Sequence, residues 1–220
     1  MKYREFEQVI SVPRMNRYLT ACNGNTRKAM YLYRLNLGLT QELFTIVSCF
    51  EVSLRNTINE HYRSIHGNDW LRDAAQNGGF FDNNRCRQTA NAILDCHRSL
   101  GASYTHPKLV AELGFGFWRF MFGTHQYRAG GQTLLTIFPH KPTSTPQQQY
   151  NSNYIFNQLK KVNELRNRLA HHEPVCFQIG QPVIHTGFAS DHYSTIIELF
   201  TWLGIDEKAL LYGLDHVQEK

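Results

Sequence analysis

Apolar residues recur at three- and four-residue steps through most of this chain, the period of helices that bury one face, and the pattern predicts an all-α protein. Residues 3–23 read as one or two short helices broken near Pro13, ending in the turn-like Asn23-Gly24-Asn25. Residues 26–37 carry Met30, Tyr31, Tyr33, Leu35 and Leu37, and Gly38 is expected to close that helix. Thr40 then reads as the N-cap of a long core helix reaching about residue 65, on which Leu43, Phe44, Val47, Phe50, Leu54 and Ile58 keep helical spacing. Shorter helices are expected at residues 68–75 around Trp70, at 83–100 and at 107–113, followed by an aromatic-rich turn at 115–122. In that turn Phe115, Phe117, Trp118, Phe120 and Phe122 are expected to be core rather than a surface for stacked bases. Residues 124–149 read as a loop around a brief apolar segment, and a helix then runs from about 147–152 to His171 and packs against the long one. After Pro174 a polar turn with Gly180 and Gly187 is expected to hold 175–177 and 182–184 either extended or as a tiny hairpin. Two last helices follow at 191–203 and 206–217, capped by Ser190 or Asp191 and by Asp206.

The densest polar stretch is residues 162–174, V-N-E-L-R-N-R-L-A-H-H-E-P, with two arginines, two histidines, two asparagines and two glutamates. On a helix, Val162, Leu165 and Leu169 form its apolar stripe and turn the polar groups to the other faces. Pro174 lacks an amide proton and disfavours the α conformation at Glu173, so His171 and His172 fall in the last turn or just past it. Asn167 and His171, four apart, share a face, as do Arg168 and His172. Arg166 and His171 are turned from each other by roughly 140° at ~3.6 residues per turn. Unless the helix end unwinds, a second copy is the natural way to bring both groups to one small ligand. On the long helix Glu51, Arg55 and Asn59 form a polar line at four-residue steps.

Arg166-Asn167-Arg168-Leu169-Ala170-His171 fits the R-x4-H signature of the HEPN superfamily. Together with Glu51-Val52-Ser53-Leu54-Arg55-Asn56 and Phe115-Gly116-Phe117-Trp118, it makes residues 30–175 resemble the Abi-like group of bacterial abortive-infection proteins. The resemblance implies a HEPN-like helical bundle with additional helices. It also implies a metal-independent endoribonuclease working across a homodimer cleft as a toxin or phage-defence effector, with RNA as substrate. Arg166, Asn167 and His171 carry over as its catalytic residues. His172, which satisfies a five-residue spacing, and Glu51 and Arg55 on the neighbouring helix carry over as supporting ones. An antitoxin, protein or RNA, is a possible partner. HEPN toxins silenced by adenylylation of a tyrosine show R-x4-H-x-Y; here Glu173 stands at that position, which argues against such silencing.

Composition modifies this picture little. Lys and Arg outnumber Asp and Glu by 23 to 18 in 220 residues, a formal charge of +5 that mildly favours a polyanionic partner. The whole chain is expected to form one domain, with residues 1–25 as a helical extension and 175–220 as a C-terminal turn and two helices. Five cysteines without a C-x-x-C pair suit reduced thiols in a cytosol. Neither a signal-length apolar run after Met1 nor a membrane-length one is expected, which suggests a protein that stays in the cytoplasm. His171, His172 and Glu173 are badly spaced for a metal, and no dinucleotide or Walker glycine pattern occurs, so no metal or cofactor is expected. Two other classes fit the same residues: a non-catalytic RNA- or protein-binding module, and a buried polar network that stabilises a dimer.

Overall fold

In the computed structural model, which describes residues 1–217, the protein is all-α: eleven α-helices, two short 3-10 turns and, among the described residues, a single antiparallel bridge between Phe177 and Ile184. The first two helices are α1 (Tyr3–Ile10) and α2 (Val12–Ala21). The break between them lies at Ser11, whose φ is 93°, and Pro13 sits in the first turn of α2. A proline is tolerated there because first-turn amides have no intrahelical partner to lose.

Helix α3 (Thr26–His66) is continuous over 41 residues, so Gly38 does not close a helix and Thr40 does not cap one. Ala29, Tyr33, Asn36, Leu39, Leu43, Val47, Phe50, Leu54, Ile58 and Tyr62 are all buried and hold one register through the glycine. Interrupting that stripe would expose several side chains, each worth about 1.5–3 kcal/mol when buried. A mid-helix glycine costs about 1 kcal/mol. The Thr40 hydroxyl is left inside the helix, buried and without a hydrogen-bond partner. By length and composition α3 contains a window apolar enough to cross a membrane, contrary to the expectation above; a core helix has the same composition, and its Leu43, Ile46, Phe50 and Leu54 are fully buried.

The chain groups into two compact units. The first comprises residues 1–48, 164–197 and the C-terminal residues from 207. Its core gathers Phe6, Met15, Tyr18, Ala29, Tyr33, Cys176 and Phe177. The rings of Phe6 and Tyr18 meet Tyr33 edge-on at 5.5 and 5.2 Å, and Tyr18 meets Phe177 at 4.9 Å. The second unit, residues 49–163 and 198–206, holds α4 (Trp70–Ala75), α5 (Arg87–Leu100), α6 (His106–Glu112), α7 (Phe115–Phe120) and α8 (Thr124–Ala129). Of the aromatic run, Phe115, Trp118 and Phe122 are core, and the Trp118 indole donates to the Leu113 carbonyl at 2.8 Å. Phe120 stands outside, 45% exposed. The stretch expected as a loop contains α8, which ends at Gly130; the Tyr62 hydroxyl presses on that residue and leaves no room for a side chain.

Helix α9 (Ser152–Ala170) is the expected signature helix. Helix α10 (Gly187–Trp202) starts earlier than expected, so Ser190 and Asp191 lie inside it, and the His185 imidazole accepts from the Gly187 amide at its start. Helix α11 (Glu207–Leu210) is far shorter than the expected 206–217. Gly213 turns the chain with a φ of 70°, and Tyr193 donates its hydroxyl proton to the Asp215 carboxylate at 2.7 Å.

In the second unit the Asn59 side-chain oxygen Oδ1 faces both the Trp70 indole at 2.9 Å and His106 Nε2 at 2.7 Å. His106 therefore donates from Nε2 and holds Nδ1 bare, buried and unpartnered. Desolvation lowers the His106 pKa, and burial also lowers that of His61. Below the ordinary histidine value near 6.5 the unfolded chain then binds more protons than the folded one, so this contribution is complete above that pH and is lost as pH falls through the folded pKa values. Urea midpoints are expected to drop between pH 7 and 5, and His106→Gln is expected to flatten that drop. An equal slope in the variant would contradict the assignment.

Candidate functional site

On α9 the residues Ile155, Leu159, Val162, Leu165 and Leu169 are buried, and this stripe fixes where every polar neighbour points. Arg166, three and four residues from Leu169 and Val162, rides the flank of the stripe and is half-buried. Asn167 and His171 are both exposed. The His171 amide still donates to the Asn167 carbonyl at 2.9 Å, so their side chains follow one another on a single helix face, as the spacing predicts.

Past His171 the chain turns. His172 adopts the left-handed conformation with φ 55°, its amide donating to Leu169 O at 3.0 Å while the Glu173 amide donates to Arg168 O at 2.9 Å. This pair of bonds is the Schellman helix end, which glycine usually occupies; a histidine there carries left-handed strain. An ion pair reinforces the same end: Arg168 Nε lies 3.1 Å from Glu173 Oε2, and the Arg168 guanidinium stacks 4.5 Å over the Phe188 ring. Arg168 is therefore committed to the exit. The expected sharing of a face by Arg168 and His172 does not occur, because the backbone leaves the helix between them.

Pro174 offers no amide proton, and the next two amides, of Val175 and Cys176, both donate to the buried Asn36 carboxamide oxygen, at 2.9 and 3.3 Å. Of the two expected arrangements the hairpin forms, through Gln178 N to Val183 O and His185 N to Cys176 O, each 2.9 Å. Arg17 clamps it, donating to the Gln178 and Gln181 carbonyls at 3.2 and 3.1 Å with its guanidinium 4.8 Å from the Phe177 ring centre. Burial pushes the Cys176 thiol up to about 11, leaving it a neutral core group.

Glu51 and Arg55 are half-buried on α3 and belong to the second unit, whereas Arg166, Asn167, His171 and His172 belong to the first. The third member of that polar line, Asn59, is occupied by Trp70 and His106. Asn36, Arg17 and Phe188, which build the helix exit, escape sequence reasoning. Only Asn36 leaves a trace, as the polar member of an otherwise apolar stripe. Among the described residues no three His, Cys, Asp or Glu side chains gather as a metal site. No protein-family model, curated protein or solved structure matches this chain.

Two variants probe the exit. His172→Gly relieves the left-handed strain and is expected to raise stability by about 1 kcal/mol. Asn36→Ala leaves two buried amides unpaired and is expected to cost about 1–3 kcal/mol for each. Urea denaturation reads both, and an unchanged midpoint for Asn36→Ala would contradict the anchoring role.

Proposed function

We propose that this protein is a metal-independent endoribonuclease of the HEPN, Abi-like kind, a cytoplasmic toxin or abortive-infection effector that cleaves RNA as a homodimer. The observation that carries the reading is the pairing of Asn167 and His171 on one solvent-facing side of α9, beside Arg166, at a helix end tied down on its far side. Cleavage without metal needs a base for the ribose 2′-hydroxyl, an acid for the departing 5′-oxygen and a cation for charge growing on phosphorus. His171 is the proton-transfer group, since an imidazole can both take up and give up a proton. Arg166 supplies a permanently charged planar fork for phosphate oxygens, and Asn167 a neutral donor beside it. Their angular separation on α9 assigns the complementary group to a second copy. His172 is the backbone turn rather than a working group, and Arg168 is held by Glu173.

The test is cleavage of labelled RNA in EDTA. His171→Ala is expected to lower the rate by roughly 10²-fold or more, the scale of a lost general acid or base, with RNA binding retained. Arg166→Lys is expected to impair cleavage as well, because an ammonium cannot reproduce the guanidinium fork. His172→Ala is expected to cleave far better than His171→Ala. If His171→Ala cuts as well as the parent, or cutting requires a divalent metal, the protein is instead a non-catalytic RNA- or protein-binding module.

A further inference from the structure

A cavity of about 530 Å³ opens in the second unit, where the end of α4, the loop at residues 81–84 and the first turns of α5 meet. Its floor is apolar, made by the buried Ala75, Phe81 and Ala90. Of the residues that line it, only Asp82 and Arg87 are charged. They do not pair, and neither takes part in any ion pair among the described residues. The loop that carries Asp82 is fixed from within. Asp82 Oδ2 accepts the Gly78 amide at 2.9 Å, and Asn83 spends its carboxamide on the Arg85 and Cys86 amides at 3.1 and 3.0 Å and on the Phe80 carbonyl at 3.1 Å. Arg87 stands in the first turn of α5 four residues before Asn91, so the two share the helix face that lines the cavity. The other carboxylates and arginines of α4 and α5 are paired, Arg72 with Asp73 and Arg98 with Asp95, and Arg85 lies outside the lining.

We propose that this cavity binds a guanine base. A carboxylate and a guanidinium that face one cavity unpaired fit a ligand offering hydrogen-bond donors to the first and acceptors to the second. Guanine alone among the bases carries both as neighbouring pairs, N1–H with N2–H₂ on one edge and O6 with N7 on the next. The Asp82 carboxylate, which has lone pairs left after the Gly78 amide, takes the donors. The Arg87 fork takes O6 and N7, and the flat ring covers the apolar floor. Adenine fails on both sides, since it turns a lone pair at N1 towards the carboxylate and an amine at N6 towards the guanidinium. The Asn84 and Asn91 carboxamides, also in the lining, suit the ribose. The cavity is of small-molecule size, within the range of about 300–1,000 Å³ for such sites. The base is the same on a free nucleotide and on an unpaired residue of RNA, and only the second source rests on the endoribonuclease reading.

Two probes are titrated into the full chain by calorimetry: guanosine 5′-monophosphate, and a single-stranded 2′-O-methyl oligouridine with one guanine, which has no free 2′-hydroxyl to be cleaved. At least one is expected to bind roughly 10-fold or more tightly than its adenine counterpart, the scale of one bidentate base contact. Tighter binding of the oligonucleotide makes RNA the source of the base, and tighter binding of the monophosphate makes it a free nucleotide. Asp82→Asn keeps an oxygen for the Gly78 amide, and Arg87→Lys keeps the charge but not the fork. Each is expected to weaken guanine binding roughly 10-fold or more; if Asp82→Asn loses helical circular dichroism, Arg87→Lys carries the test. The proposal is overturned if neither guanine probe binds, if adenine binds as tightly, or if the folded variants bind guanine as the parent does. A free amino acid that binds through Asp82 and Arg87 in place of guanine overturns it as well. Because neither probe can be cleaved, failure of the ribonuclease reading would show separately, as guanine binding intact beside natural RNA that is never cut.

Discussion

Two backbone amides and one carboxamide oxygen hold the end of α9 in place. Pro174 stops the helix and contributes no donor, so the amides of Val175 and Cys176 enter the core unpaired by any helix or sheet. Asn36 answers both at once. An unmet amide buried there costs about 1–3 kcal/mol, a sizeable part of the 5–15 kcal/mol that holds a typical domain together. The contact therefore fixes where the chain leaves the helix, and with it the direction in which His171 projects.

The other groups at the exit follow from that anchor. His172 takes the left-handed turn because the chain must reverse within the few residues between the stripe residue Leu169 and the anchored Val175. Glu173 reaches back to Arg168, and Arg168 lies on Phe188, so two of the charges in the polar run serve the turn. Asn167 and His171 stand in solvent, with Arg166 half-buried on the flank of the same helix. In the proposed reaction the anchored helix end presents an exposed histidine and amide beside a half-buried arginine, so that proton transfer would need little reorganisation.

The elements with an uninterrupted period were legible in the sequence. The α9 stripe, the exit at Pro174 and the shared face of Asn167 and His171 all follow from spacing alone. Gly38 and Thr40 misled, because local start and stop signals worth about 1 kcal/mol each cannot divide a helix whose buried register continues through them. Helix α8 and the early start of α10 were hidden for the opposite reason: most of their residues are polar or small, and they take their order from contacts such as Gly130 beneath Tyr62 and His185 at the Gly187 amide. The roles of Arg168 and His172 depend on a positive φ at a residue that is not glycine, which no sequence pattern announces. Phe120 belongs to an aromatic run that reads as core, and only the fold separates it from its buried neighbours.

The central claim is that His171 and Arg166 drive attack of a ribose 2′-hydroxyl on its own phosphate, and the ends of the cleaved RNA report on this most directly. Mass spectrometry of products formed in EDTA should find a 2′,3′-cyclic phosphate on one fragment and a 5′-hydroxyl on the other, both absent with His171→Ala. Fragments ending in a 3′-hydroxyl and a 5′-phosphate, or intact RNA from the wild-type protein, would contradict it.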